Sequence, residues 1–314
     1  MSDKRSTPII IDNGSCFIKA GLADRYQPAS VIPAVVGRSK AGGSNASSTT
    51  YMGAEALNKS DVLDLSRPVS SSLGAGAGAV SGRWDDLTAL WRHIFTHGLC
   101  VDPEGKSVLM LVGSLTPKAT LEKVTQTLFE EFLVSECCIA SQSHAALYLS
   151  GKKTGCVVDV GYNEAIATPI YEGAMVLSAI KKMSYSDKKQ VDGFPASLFS
   201  ALGAQGVSLQ QMAYACVMSC DADIRKPLLS NVVLSGGNSV FDGMDLRLAN
   251  ELKRLAPGVN VVSSPQREFS SWLGAAKMTE LPSFNNRWIS KQEYDESGPA
   301  IVHRLSPLAL WIAD

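Results

Sequence analysis

The stretch Pro8 to Leu22 constrains this chain most tightly. Ile9, Ile10 and Ile11 are three β-branched residues in a row and form a short buried strand. The strand stops at Asp12-Asn13-Gly14-Ser15, a cluster of turn formers, and Phe17 to Ala20 lead back out carrying Lys19. A strand, turn and strand of this kind turn the loop amides outward as an anion-binding nest. Ser15 then offers a hydroxyl and Lys19 an ammonium to a phosphate. Asp12, at the strand's end, is placed to hold a magnesium ion through water. The same letters also spell an ordinary hairpin, because Asn-Gly is the commonest hairpin turn.

At 314 residues the chain exceeds what one compact core usually fills, which favours two lobes with a cleft between them. Twenty-nine basic residues against thirty acidic ones ask for neither nucleic acid nor an anionic membrane. No apolar run approaches the length of a membrane span, and the polar start Met1 to Thr7 lacks the apolar segment of a signal peptide. The cysteines, Cys16, Cys100, Cys137, Cys138, Cys156, Cys216 and Cys220, are odd in number and sit mostly in apolar runs. That fits reduced thiols in a cytosolic or nuclear protein, with Cys216 and Cys220 as buried thiols and not half of a zinc site.

Further along, Ser30 to Val36 is expected to pair with the first hairpin as a meander. Gly37 to Gly82 is poor in large apolar residues, with low-complexity patches at Ala41–Thr50 and Ser70–Gly82, so loops around a small subdomain anchored by Tyr51-Met52-Gly53 are expected. Trp84 to His97 reads as an amphipathic helix. Its His93 and His97 have zinc-ligand spacing, but no third ligand stands nearby, so they read as surface histidines. Strands follow at Ser107–Val112 and Ser135–Ala140, and helices at Thr116–Phe132, with Pro117 first, and Ser143–Leu149. Gln142 falls at a strand-to-helix junction, where it either enters a cleft or makes a helix-start hydrogen bond.

The second half repeats the opening. Gly155 to Val158 is a strand ending at Asp159-Val160-Gly161-Tyr162, so a strand ending in Asp-x-Gly occurs once in each half. A third strand, Asn231–Leu234, ends in Ser235-Gly236-Gly237-Asn238-Ser239 before the helix Gly243–Leu255. Paired glycines there permit close approach to a flat or anionic ligand. Two phosphate-type hairpins plus one glycine-rich strand end describe a nucleotide held between two lobes.

These residues, with Trp288 to Arg304 (WISKQEYDESGPAIVHR) at the end, resemble actin and the actin-related proteins. Further matching runs are Ile11–Gly21, Trp84-Asp85-Asp86, Tyr148–Gly155, Pro169–Gly173, Asp223–Lys226 and Leu234–Gly237. The resemblance implies an α/β, two-lobed fold of the kind shared with Hsp70-type chaperones and hexokinase-type sugar kinases, with ribonuclease-H-like mixed sheets and Mg-ATP in a central cleft. It places residues 1–33, 84–149 and 270–314 in subdomain 1, 34–83 in a partly flexible subdomain 2, 150–177 and 206–269 in subdomain 3, and 178–205 in a reduced subdomain 4. It assigns Asp12, Gly14, Ser15, Lys19, Asp159, Gly161, Gly236 and Gly237 to the nucleotide, Asp12 and Asp159 to the metal through water, and Gln142 to the attacking water.

The departures shape the functional expectation. The first loop's second glycine is Cys16, and the family's Asp-Ser-Gly-Asp-Gly has become Asp159-Val160-Gly161-Tyr162-Asn163. The histidine that helps align water is Ile166, and the basic residue bordering the adenine is Glu268. Only Ala174 to Gly193, with Lys181, Lys182, Lys188 and Lys189, stands in place of the long fourth-subdomain segment that supplies half of the adenine pocket. The loop used for polymerisation, Ala41 to Ser48, has nothing large to bury. The barbed-end cleft is better kept, as Tyr148, Leu149, Gly151, Met278, Leu281 and Phe284, with Arg287 favouring a partner that brings an acidic or polar group. An apolar tail, Leu305 to Asp314, adds Leu308, Leu310, Trp311 and Ile312.

The resemblance therefore implies a non-catalytic or weakly ATP-binding docking subunit of a larger cytoskeletal or motor-associated assembly, of the dynactin or ciliary dynein kind. ATP or ADP with Mg is expected to bind weakly or not at all, with at most a residual ATPase. The partners are proteins, other actin-like subunits among them, and the location is cytoplasmic or ciliary. A divergent polymerising actin, a nuclear chromatin-remodelling subunit and, against the run 288–304, a small-molecule kinase are the alternatives.

Overall fold

The computed structural model describes residues 6–39, 49–69, 81–185, 197–200 and 206–304. The loop Ala41–Ser48, the patch from Ser70 to Val80, Lys188, Lys189 and the tail from Leu305 lie outside the described residues. The described chain falls into two compact units, one running up to Ala140 and resuming at Phe284, the other Ser141–Ser283.

The first unit opens with β1 (Ile9–Asn13), buried at every position, turning into β2 (Phe17–Leu22). The two are antiparallel, with Asp12 opposite Lys19. The apolar run Ser30 to Val36 does not continue as one meander strand. β3 (Ser30–Pro33) pairs with β2, but Ala34 N–H donates to Cys16 C=O and Val35 N–H to Pro33 C=O, so the chain leaves the ladder. Pro33 has no N–H to extend the pairing. β4 (Val36–Ser39) joins β5 (Thr50–Met52) and β6 (Leu63–Ser66) in a separate sheet of order β5-β4-β6, backed by the short helix Gly53–Asn58. Arg38 of β4 reaches the buried Asp86 carboxylate as an ion pair.

The helix expected over Trp84–His97 runs Ser81–His93 and then widens into a π turn, Ile94–Gly98, closed by Leu99 N–H on Ile94 C=O. A Cβ on Gly98 would lie 2.5 Å from Ser30 Oγ, so the turn rests directly on β3. The His93 and His97 rings stack at 4.7 Å. β7 (Ser107–Val112) lies parallel to β1, and the helix Lys118–Glu130 begins one residue after Pro117, which serves as its N-cap. β8 (Glu136–Ser141) ends this stretch.

The second unit opens with the helix Gln142–Leu149, capped by Ser141 Oγ, which accepts Ser143 N–H at 3.2 Å. β9 (Gly155–Val160) runs past Asp159 instead of stopping before it, because β10 (Glu164–Tyr171) pairs back along it as far as Val160. β11 (Ala174–Met175) and β12 (Lys181–Ser184) both add to β10. After the helices Leu209–Met218 and Ala222–Leu229 come β13 (Val232–Ser235), the helix Met244–Leu255 and β14 (Val261–Ser263), giving the order β11-β10-β9-β13-β14. The helix Ser270–Thr279 packs on Gln142–Leu149 at Gly274, where a Cβ would sit 1.8 Å from Ala145 C=O.

The chain then returns to the first unit with β15 (Ile289–Ser290) and the helix Lys291–Ser297, completing the order β15-β8-β7-β1-β2-β3. The helix starts with a capping box: Ser290 Oγ accepts Glu293 N–H at 3.2 Å and Glu293 Oε2 accepts Ser290 N–H at 2.9 Å. Tyr294 Oη donates to Glu130 at 2.7 Å and His303 meets Glu122 at 2.8 Å, so this segment is fastened to the helix Lys118–Glu130. All seven cysteines are free thiols, and Cys156 and Cys216 lie 3.9 Å apart in the second core. No helix of the described residues is long and apolar enough to cross a membrane.

Two measurements check this packing. Gly274→Ala forces the two helices apart and is expected to cost about 3 kcal/mol of unfolding free energy in urea. Gly237→Ala, whose Cβ meets nothing within 4 Å, serves as the silent control. For the capping box, the Ser290 N–H and then Arg304 hold Glu293 below the ordinary glutamate value of 4.5. A carboxylate depressed in the folded state adds stability above its unfolded value and loses it as pH falls through the folded one. Glu293→Gln keeps an acceptor for Ser290 N–H but loses the charge at the helix start beside Arg304, so it should cost about 0.5 kcal/mol at pH 7, and the gap to the parent should close below pH 4.5.

Candidate functional site

The candidate turn of the first unit is the one between β1 and β2. Asp12 is 1% exposed, and its Oδ2 accepts Lys19 Nζ at 3.1 Å across the hairpin. Gly14 N–H closes on Asp12 C=O at 3.1 Å, and a Cβ on Gly14 would meet Phe17 C=O at 2.5 Å, so the turn needs glycine there. Cys16 brings no such conflict. It is absent from the left-handed backbone positions, which among the non-glycines described are Cys100, Leu133 and Glu172, and its C=O accepts Ala34 N–H at 2.8 Å. Ser15 is half-buried beside it.

Asn13, taken from the sequence as a turn former, does more than turn the chain. Its Nδ2 donates to Leu111 C=O of β7 at 3.0 Å, and its Oδ1 accepts Trp91 Nε1–H at 2.8 Å. The side chain is 5% exposed, so both bonds lie out of water and hold the turn to the sheet and to the helix Ser81–His93. Its only sequence signal was a polar residue continuing an apolar strand.

The candidate turn of the second unit, between β9 and β10, is built differently. Asp159 sits within the ladder, opposite Ile166 on β10 and Ser235 on β13. Directly opposed residues share a sheet face, so an isoleucine side chain lies beside this carboxylate. Gly161 N–H donates to Glu164 C=O at 2.9 Å and is spent within its own turn. Gly161 C=O accepts two side chains, Tyr185 Oη at 2.6 Å and Asn238 Nδ2 at 2.7 Å. Burial, and after it the charge of Asp159, push the Tyr185 hydroxyl's pKa up, so it stays protonated and donates. Lys182 pairs with Glu164 at 3.2 Å on the same turn. Tyr185 and Asn238 were not singled out from the sequence, since their partner is distant along the chain and is a backbone atom.

Gly236 has φ 98°, and a Cβ there would fall 2.5 Å from Val160 C=O. This glycine is needed for the approach of β13's end to β9, whatever else it admits. Gly237 opens to free space. Gly236 N–H reaches Arg267 C=O at 3.3 Å and Arg267 Nε reaches Ser239 C=O at 2.9 Å, which brings Glu268 beside the glycine turn. Glu268 Oε2 is shut from solvent without a hydrogen-bond partner. Gln142 is the first residue of its helix and half-buried, but the capping oxygen there is Ser141's.

Asp12, Gly14, Ser15 and Lys19 are thus brought together in the first unit, and Asp159, Gly161, Gly236 and Gly237 in the second. Asp12, Ser15 and Lys19 have the chemistry to hold a magnesium-bound phosphate. Around Gly161 the amide and carbonyl are already used by the chain itself, and a carboxylate stands by the glycine turn. Of the expected protein-binding residues, Tyr148, Leu149, Leu281 and Arg287 are half-buried and Gly151 is exposed, whereas Met278 and Phe284 are 1% and 0% exposed. Burial lowers the Arg287 guanidinium's pKa, and Phe284 stacks edge-on to Trp288 at 5.9 Å. Among the described residues no three His, Cys, Asp or Glu side chains cluster as metal ligands.

With this geometry in place, the chain matches the family model for Actin in two segments, residues 3–203 and 194–307.

Tyr185→Phe removes the hydroxyl donor while keeping the ring. Amide exchange at Gly161 should quicken by a factor matching the loss of about 1 kcal/mol, while the Gly14 amide in the other unit exchanges as before. Unchanged exchange at Gly161 would show that Asn238 alone holds the turn.

Proposed function

Because the chain belongs to the actin family and has its α/β fold, we propose that it is a docking subunit of a larger protein assembly, with a weak or lost nucleotide site. One observation carries this reading: the Gly161 turn, which the resemblance assigns to phosphate, donates its amide to Glu164 C=O, and Tyr185 and Asn238 donate to its carbonyl and so fix the turn in that arrangement. A phosphate accepts hydrogen bonds, so it would have to take the Gly161 amide from Glu164 C=O in a turn that two side chains hold in place. Ile166 beside Asp159 and the unpartnered carboxylate oxygen of Glu268 add to the cost of an anionic ligand. Gln142 then has little attacking water to orient, and turnover is slow or absent.

The short run Ala174 to Gly193 in place of the fourth subdomain supports the same reading. We assign 178–205 to this reduced subdomain and the docking role to the barbed-side residues Tyr148, Leu149, Gly151, Leu281 and Arg287. A cytoskeletal or motor-associated complex, cytoplasmic or ciliary, is the setting proposed. The second reading, a divergent polymerising actin, draws on the Asp12, Ser15 and Lys19 constellation.

The deciding experiment purifies the full chain in magnesium without added nucleotide, denatures it and quantifies released ATP and ADP, then tests pelleting in salt and Mg-ATP. Well under one nucleotide per chain and a supernatant protein are expected. Near-stoichiometric nucleotide with pelleting would overturn the docking reading in favour of the polymerising one.

A further inference from the structure

Apart from the β1–β2 turn, the first unit carries a surface cavity of about 560 Å³ between the segment Leu22–Ala29 and the segment Gly98–Val101. Its shape follows from the π turn. Leu99 N–H bonds to Ile94 C=O at 2.8 Å and Val101 N–H to Phe95 C=O at 2.9 Å. Between them Cys100 takes φ 53°, a left-handed backbone uncommon for a residue with a side chain. Gly98, at the end of the π turn, is pressed on Ser30 of β3. On the opposite wall Arg25 N–H closes a turn on Leu22 C=O at 3.1 Å.

The floor is apolar. Leu22, Leu99 and Val101 pack on the unit's core from below and face the cavity from above, and Pro28 closes one side. The rim is of another kind. Tyr26 is 94% exposed, a whole aromatic ring that folding leaves in water. Arg25 lines the cavity and meets the neighbouring Asp24 at 3.6 Å, with both side chains more than half exposed. An ion pair so exposed contributes about 0–1 kcal/mol, so the guanidinium is easily turned to another carboxylate.

We propose that this cavity receives a protein segment that inserts one large apolar side chain and sets a carboxylate on Arg25 beside it. The volume lies within the range of formed ligand pockets, roughly 300–1,000 Å³. Tyrosine and arginine around an apolar hole are the residues that most often dominate binding energy in protein interfaces. Among the described lining residues Arg25 is the one cation, complementary to one acidic residue, and Asp24 and Asp102, next to Arg25 and Val101 in sequence, disfavour a polyanion. The proposal is independent of the nucleotide reading, since none of these residues belongs to either phosphate-type turn.

The test pans a random dodecapeptide display library against the immobilised full chain, and titrates one synthetic selected peptide against the parent and two variants. Ala29→Trp plugs the cavity from an exposed position, and Arg25→Glu reverses the rim charge; both should unfold at the parent's temperature. The parent is expected to select Phe, Leu or Trp within two residues of Asp or Glu. Affinity should fall at least tenfold on Ala29→Trp, and Arg25→Glu should select Lys or Arg beside the same apolar residue. No enrichment, or a peptide bound equally by the parent and both variants, would overturn the proposal. So would a concentration-dependent dimer of the parent that Arg25→Glu abolishes, which would make the face a contact between copies of this chain.

Discussion

The two hydrogen bonds of the Asn13 side chain are the interaction on which the first unit depends. β1 is buried at all five positions and lies between β2 and β7, so its end must leave the sheet without exposing or orphaning polar groups. Asn13 solves this by joining Leu111 of β7 and Trp91 of the helix Ser81–His93 to the same amide. Trp91 stands edge-on to Trp84 at 6.0 Å and near Phe132 at 6.4 Å, so the turn is tied into the aromatic core. The Asp12–Lys19 pair next to it satisfies a buried carboxylate without any outside cation.

The second unit starts from the same strand-Asp-x-Gly sequence and reaches a different solution. No asparagine follows Asp159; Val160 does, and it is buried. The turn is fixed from outside, by Tyr185 just beyond β12 and by Asn238 just beyond β13. In the first unit the pinning residue, Asn13, is distinct from the candidate phosphate ligands Ser15 and Lys19. In the second, the pinning bonds fall on the Gly161 carbonyl and fix the turn whose amide already donates to Glu164 C=O. Two similar sequence motifs are thus held by different partners.

Much of the strand framework was legible in the sequence because buried β-branched runs such as Ile9–Ile11 and Ser107–Val112 have few other solutions. Boundaries were less legible where hydrogen bonding overrode composition. Ser30–Val36 is one apolar run but two strands in two sheets, because Pro33 cannot donate and Ala34 turns to Cys16. The helix from Trp84 keeps its apolar spacing through the π turn, so hydrophobic periodicity gives no sign of the change at Ile94. Asp159 lies inside a strand because β10 folds back along it, a pairing invisible to local turn preference. For the candidate site, the residue types at Asp12, Gly14, Ser15 and Lys19 could be read directly. The roles of Tyr185 and Asn238 could not, since nothing near either residue marks Gly161 as its acceptor.

A fold that normally carries a tightly bound ligand gains stability from it by mass action, about 4 kcal/mol when free ligand stands a thousandfold above the dissociation constant. A chain of that fold that gives up the ligand must find the same stabilisation within itself or remain loose around the vacated turns. Tyr185 and Asn238 on Gly161 are bonds of that internal kind, each contributing on the order of 1 kcal/mol net. Both donors belong to the chain itself, so on the docking reading proposed above the turn they hold would not depend on nucleotide state. For a polymerising ATPase that independence would remove the switch. For a docking subunit it is an advantage, because a surface already ordered before its partner arrives loses less entropy on binding.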